Sequence, residues 1–92
     1  MSSEKIQNKD KITDAVRAVV WETYNGECYK AKCFCCRTNM LTVFDFDCGY
    51  IISEKHGGKA TVQNLRPICG TCTESIGTEN MMTFIRRNGF HV

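Results

Sequence analysis

Two Cys-x-x-Cys pairs, Cys33/Cys36 in KCFCCR and Cys69/Cys72 in PICGTC, bracket residues 37–68 and limit what this chain can become. Four thiolates from two such pairs suit one tetrahedral Zn²⁺, and an ion gripped in that way makes metal binding part of the folding free energy. A chain of 92 residues with 42% hydrophobic content builds one domain at most, and a domain of that size buries a modest share of its surface. A staple is expected. The seven cysteines cannot all pair within one chain. No apolar run near the amino terminus resembles a secretion signal or reaches the length of a membrane span. The expected setting is soluble and intracellular, where reducing conditions favour metal over disulfide.

Charge says less than the formal +2 suggests, because four thiolates and one divalent ion bring the loaded protein close to neutrality. Bulk attraction to nucleic acid is therefore weak, and affinity for phosphate has to come from local clusters. These are Lys30, Lys32 and Arg37 around the first pair, Lys55, Lys59 and Arg66 in the centre, and Arg86 and Arg87 near the end. Ordinary solvated side chains are the plain alternative.

Residues 1–9 are polar and expected to be a flexible tail, with residues 10–92 forming the single domain. Ile12, Val16, Val19 and Val20 recur at helical spacing, Asp10 is placed to cap, Asp14 suits the positive end, and Gly26 can end the segment. This predicts an amphipathic helix over 10–25, with Trp21 and Tyr24 packed on the metal module. Between Met40 and Cys48 the pattern alternates as a strand does, and Tyr50, Ile51 and Ile52 form a second extended run. The knuckle and hairpin are placed at 30–53, a loop containing Gly57 and Gly58 at 54–66, and a helix starting at the second pair after Pro67. Thr78 can cap a last helix with Met81, Met82, Phe84 and Ile85 as its apolar positions, so that the two carboxyl-terminal helices span 69–88.

A knuckle, a hairpin, a loop and a second knuckle opening a helix is the order of a treble clef zinc fold, an α+β class. Cys33 and Cys36 are preferred over Cys35 because two intervening residues make the tight turn that aims both sulfurs at one ion. Cys28, Cys35 and Cys48 are then spare thiols.

The strings VRAVVWETYNG, KCFCC, FDFDCGYIIS, GGKATVQNLRPICGTC and IGTENMMTF, together covering about residues 12–90, resemble the HNH endonuclease family. The likeness is closest to the zinc-stapled members from large double-stranded DNA viruses and phages. It implies a ββα-metal core that cradles a catalytic divalent ion, with the four-cysteine zinc site as a separate staple. It also implies DNA as partner, and a role in viral replication, transcription or packaging. The family's base histidine, at the start of the second strand, is matched by Tyr50. Its central loop-fixing asparagine is matched by Asn64, and its last metal-ligand position, an asparagine or histidine after the second pair, by Thr73.

Those replacements bear on chemistry. An imidazole with a pKa near 6.5 accepts a proton from water at neutral pH, whereas a phenol near 10 is ionised to roughly one part in a thousand there. A threonine hydroxyl is a poor ligand for an ion such as Mg²⁺. Asp45, Asp47 and His56 are conceivable substitutes, with Asp45 and Asp47 expected on one strand face. The expectation is a module with degenerate catalytic positions that binds nucleic acid through Lys30, Lys32, Arg37, Lys55, Lys59 and Arg66. A protein-interaction module built on an inactive HNH fold is one alternative, and an active metal-dependent endonuclease using Tyr50 or a rearranged base is the second; a second divalent ion is expected only in that last case.

Overall fold

The computed structural model describes residues 12–90. Helix α1 (Asp14–Asn25) starts at Thr13, whose extended backbone lets Oγ1 accept from the Val16 amide at 3.2 Å, and Asp14 places a carboxylate at the positive end. The cap is thus Thr13; Asp10, expected in that role, lies outside the described residues, as does the tail 1–9. Gly26 closes the helix at φ 70°, its amide on the Glu22 carbonyl at 2.9 Å. The buried stripe runs through Val16, Arg17, Val20, Trp21 and Tyr24, so Val19 faces outward and is exposed, against expectation. Trp21 is a core residue as expected. Its Nε1 donates to the Cys28 carbonyl at 2.8 Å and its ring meets Phe46 at 5.0 Å between centroids. Arg17 covers Phe46, with its guanidinium 4.3 Å from the ring centroid and donating to the Phe46 carbonyl at 2.9 Å.

Two antiparallel pairs follow. Strand β1 (Lys30–Lys32) pairs with β2 (Met40–Thr42), Ala31 opposite Leu41, with the first knuckle between them. Strand β3 (Asp47–Tyr50) pairs with β4 (Leu65–Ile68), Gly49 opposite Arg66 and Tyr50 opposite Leu65. The alternating run 40–48 is therefore not one strand. The chain turns at 43–44, where Thr42 and Asp45 exchange backbone hydrogen bonds of 2.9 and 3.4 Å. Phe44 is left at the tip, 82% exposed, while Phe46 is buried against Trp21. Asp45 stays in that turn, outside the strand that Asp47 begins, so the two do not share a strand face. Ile51 and Ile52 bend away instead of extending a strand, and Leu65 and Arg66, expected in the loop, belong to β4.

Helix α2 (Gly70–Ile76) begins at the second knuckle with Cys69 as its cap, and α3 (Met81–Asn88) ends at Gly89 with φ 70°. Asn80, not Thr78, precedes α3. Its carboxamide oxygen accepts from the Ser53 amide at 2.9 Å and so ties the long β3–β4 connection to the last helix. The Met81 amide makes a second tie to the Ile51 carbonyl at 2.9 Å. Met81, Phe84 and Ile85 are buried, whereas Met82 is exposed. Gly49 lets β3 pass close to this layer: a Cβ there would stand 2.5 Å from Ile68 Cδ1 and 2.8 Å from Met81 Cε. Among the described residues, three α-helices and two small antiparallel sheets make the fold α+β, as expected. No described helix is long and apolar enough to cross a membrane.

Candidate metal centre and adjoining cleft

The knuckle between β1 and β2 and the first turn of α2 bring Cys33, Cys36, Cys69 and Cys72 together, their sulfurs all within 4.8 Å of one another. Cys33, Cys69 and Cys72 are buried and Cys36 half-buried. The Cys33 and Cys72 sulfurs are 3.7 Å apart. A tetrahedron with Zn–S bonds of about 2.3 Å has edges of about 3.8 Å, so the donor set and its span fit one such ion. Among the described residues no other group of three or more His, Cys, Asp or Glu is gathered to hold a metal. None of the seven cysteines is in a disulfide.

Amide donors surround the sulfurs. Cys33 Sγ accepts from the Cys69 amide at 3.3 Å, Cys69 Sγ from the Cys72 amide at 3.5 Å, and Cys36 Sγ from the Asn39 amide at 3.5 Å. The Asn39 side chain adds a donor to Cys69 Sγ at 3.3 Å. The Cys35 thiol donates to Cys33 and, with the backbone amides of Cys36, Cys69 and Cys35, holds Cys33 down at about 4 against the opposing effect of burial. The same hydrogen bond, with burial and neighbouring sulfurs, pushes Cys35 far up, so it stays a thiol donor beside the centre. Burial, and then contact with the Cys69 and Cys33 sulfurs, pushes Cys72 up as well. Closely packed sulfurs make one another harder to ionise, and a divalent cation removes that opposition.

The other side of α2's first turn faces a cleft of about 270 Å³ whose walls include Tyr50, Ser53, Glu54, Lys55, Thr73 and Glu79. Tyr50 is the last residue of β3, where a strand start was expected, and its hydroxyl stands 3.5 Å from Glu54 Oε2. The Thr73 hydroxyl is 3.0 Å from both Asp47 Oδ2 and the Cys69 carbonyl, so its one proton is shared between these two acceptors. His56 does not enter the cleft wall, and its Nδ1 lies 2.7 Å from the Ser53 hydroxyl. Cys48 does line the cleft, with its thiol pushed up by burial, and Cys28 is exposed.

Asn64 fixes the β3–β4 connection. Its Oδ1 accepts from the Ile52 amide at 2.8 Å, and its Nδ2 donates to the Ile52 carbonyl at 3.0 Å and the Lys59 carbonyl at 2.9 Å. The loop is drawn so tight that a Cβ at Gly58 would fall 1.7 Å from the Ile52 carbonyl oxygen, while Gly57 takes φ 93°.

The six basic residues do not form one patch. Lys55 lines the cleft, Lys59 is exposed in the tight loop, and Lys30, Lys32 and Arg37 are exposed on β1 and the knuckle. Arg66 is half-buried, its guanidinium 4.0 Å from the Tyr24 ring centroid and donating to the Gln63 and Leu65 carbonyls at 3.1 and 2.8 Å. Asn39, Glu54 and Asn80 escaped sequence reasoning. The nearest signal for Asn39 is a short amide at the knuckle exit, where sulfurs need donors; Glu54 and Asn80 meet their partners only through folding.

The HNH endonuclease family model matches residues 33–79, from the first knuckle cysteine to Glu79, with Tyr50, Asn64 and Thr73 inside the match. No curated protein and no solved structure matches the chain. The matched span is half of the chain and contains both cysteine pairs, the β3–β4 connection and the cleft-lining turn of α2, and this protein belongs to the HNH endonuclease family.

Proposed function

We propose that this protein is a zinc-binding HNH module that holds nucleic acid, duplex DNA foremost, and no longer cuts it. The observation that carries the reading is the pair of replacements in the cleft. A phenol stands where the family places its base, and the hydroxyl at the last ligand position is taken up by Asp47 and the Cys69 carbonyl. Zinc is the ion assigned because four thiolates in a span of this size suit it. Lys55 in the cleft wall, Lys59 in the tight β3–β4 loop and Lys30, Lys32 and Arg37 on β1 and the knuckle supply contacts to phosphate with little reading of base sequence. The resemblance to viral and phage members makes a replication, transcription or packaging assembly the natural setting.

Gel shifts on duplex DNA at low and moderate salt test the binding half. Affinity should fall steeply with salt, and a flat response sinks it. Incubating supercoiled plasmid with Mg²⁺, Mn²⁺ or Ni²⁺ tests the other half: nicking that vanishes in Tyr50→Phe overturns the loss of catalysis. Tyr50→His with Thr73→Asn restores both family positions, and cleavage gained in that variant shows a cleft still shaped for the reaction. A protein partner is the second reading, favoured by the exposed edge-on pair Tyr29–Phe44, 6.0 Å between centroids. Binding to a protein that survives high salt, with no shift of DNA at low salt, would decide for it.

A further inference from the structure

Between the carboxyl end of α1 and the first knuckle lies a second cavity, of about 350 Å³, whose walls include Tyr24, Asn25, Lys32, Phe34, Arg37 and Pro67. No carboxylate lies in that wall. Lys32 and Arg37 bring two full positive charges, and the Asn25 side-chain nitrogen is buried without a hydrogen-bond partner among the described atoms. A buried donor left unmet is costly, and a small shift that opened this nitrogen to the cavity would let an acceptor there relieve it. The Tyr24 hydroxyl already donates to the Val62 carbonyl at 2.8 Å. Against the two aromatic walls Arg66 adds a third positive charge, 4.0 Å from the Tyr24 centroid and 5.6 Å from that of Phe34.

Arg37 is itself informative. Its φ of 59° makes it the one non-glycine residue in the left-handed region among the described residues, and its amide closes the knuckle on the Cys33 carbonyl at 3.0 Å. Glycine takes that conformation without strain, so a bulky cationic side chain is held where the backbone would relax without it. The open carbonyls of α1's last turn, with about half a charge, and the loaded sulfur centre next to Lys32 and Arg37 in sequence, with a net two, oppose an anion nearby, but the two cations line the cavity and no cysteine does.

We propose that this cavity binds a phosphate group, carried either by a nucleic-acid backbone or by a free nucleotide. Phosphate offers acceptors alone, which is what a wall of two cations and an unmet amide requires. The inference extends the nucleic-acid reading given above but rests on residues outside the cleft.

The test is a titration of isotope-labelled, zinc-loaded protein with inorganic phosphate, with chloride at matched ionic strength as the control. The Asn25 side-chain amide resonances should shift to saturation with phosphate and stay in place with chloride. Arg37→Gly keeps the left-handed turn and relaxes it, so its melting temperature should hold or rise while phosphate binding weakens roughly tenfold or more. Lys32→Gln, on an exposed strand position, should weaken binding in the same direction. A response that is linear, that chloride reproduces, or that both variants leave unchanged overturns the proposal. A duplex oligonucleotide that moves the same resonances assigns the phosphate to a nucleic-acid backbone; a mononucleotide that moves them where duplex does not assigns it to a free nucleotide. Saturable phosphate binding in a protein that shifts no DNA at low salt would end the nucleic-acid reading and leave the cavity standing.

Discussion

One turn of helix carries two sites with different histories. Cys69 and Cys72 face the sulfur centre, where all four donors converge and amides from both knuckles support them. Thr73, the next residue, faces the cleft, and there its hydroxyl is tied to Asp47 and its own helix. The difference teaches that a single helical turn can present a sulfur cluster on one side and a polar cleft wall on the other. On the reading proposed above, losing a sulfur ligand would unmake the fold that displays the cleft, whereas replacing the base would leave the fold intact. Asn64 falls on the structural side. All three of its side-chain hydrogen bonds serve the loop, so its persistence says nothing about cleavage.

The comparison breaks most visibly at Cys69. Cys69→Ser removes a ligand and the cap of α2 together, and should abolish stoichiometric zinc and cooperative melting, since structural zinc contributes on the order of 10 kcal/mol in small domains. Metal analysis and a thermal melt check this; a variant that keeps one zinc and its melting curve would show that the sulfurs do not hold the fold. Gly58→Ala should cost about 3 kcal/mol in urea denaturation, because the new methyl group meets the Ile52 carbonyl oxygen. Asn64→Ala should cost about 2 kcal/mol through its lost loop hydrogen bonds. By contrast Tyr50→His with Thr73→Asn should change stability by about 1 kcal/mol or less, and a larger loss would mean that the cleft residues hold the fold after all.

The smallest expected effect lies at the cleft's outer edge, in the exposed Glu79–Arg87 pair at 2.7 Å. The Arg87 hydrogen bond holds the Glu79 carboxyl below its ordinary value. Its contribution to stability is therefore present above the ordinary carboxylate range and lost as pH falls through the lowered one. Screening by solvent keeps the effect small. The melting-temperature gap between the native chain and Glu79→Gln should shrink on acidification, and a gap that widens reverses the sign.

The cysteine spacing alone was enough to single out the four sulfurs that the fold gathers, because two short knuckles impose their geometry locally and the chain has only to bring them together. The helix around Trp21 was legible for a similar reason, since its apolar stripe repeats within a few residues. The hairpins were not. Alternation over 40–48 has the period of a strand, but period carries no information about the turn at 43–44, which is decided by Phe46 finding Trp21 and Arg17. Asn80 was passed over in favour of Thr78 for a similar reason: its carboxamide is engaged by Ser53, 27 residues earlier, and no local pattern announces that partner. Thr13 took the cap from Asp10 because hydroxyl and carboxylate both serve there and only the backbone decides between them.

The Cys69 side chain both starts a helix and belongs to the sulfur cluster. On the zinc reading, that double duty would leave the chain without a stable half-built form: where the ion is scarce the polypeptide would be unfolded and open to proteases, and its abundance would follow metal supply before any ligand of the cleft came into play.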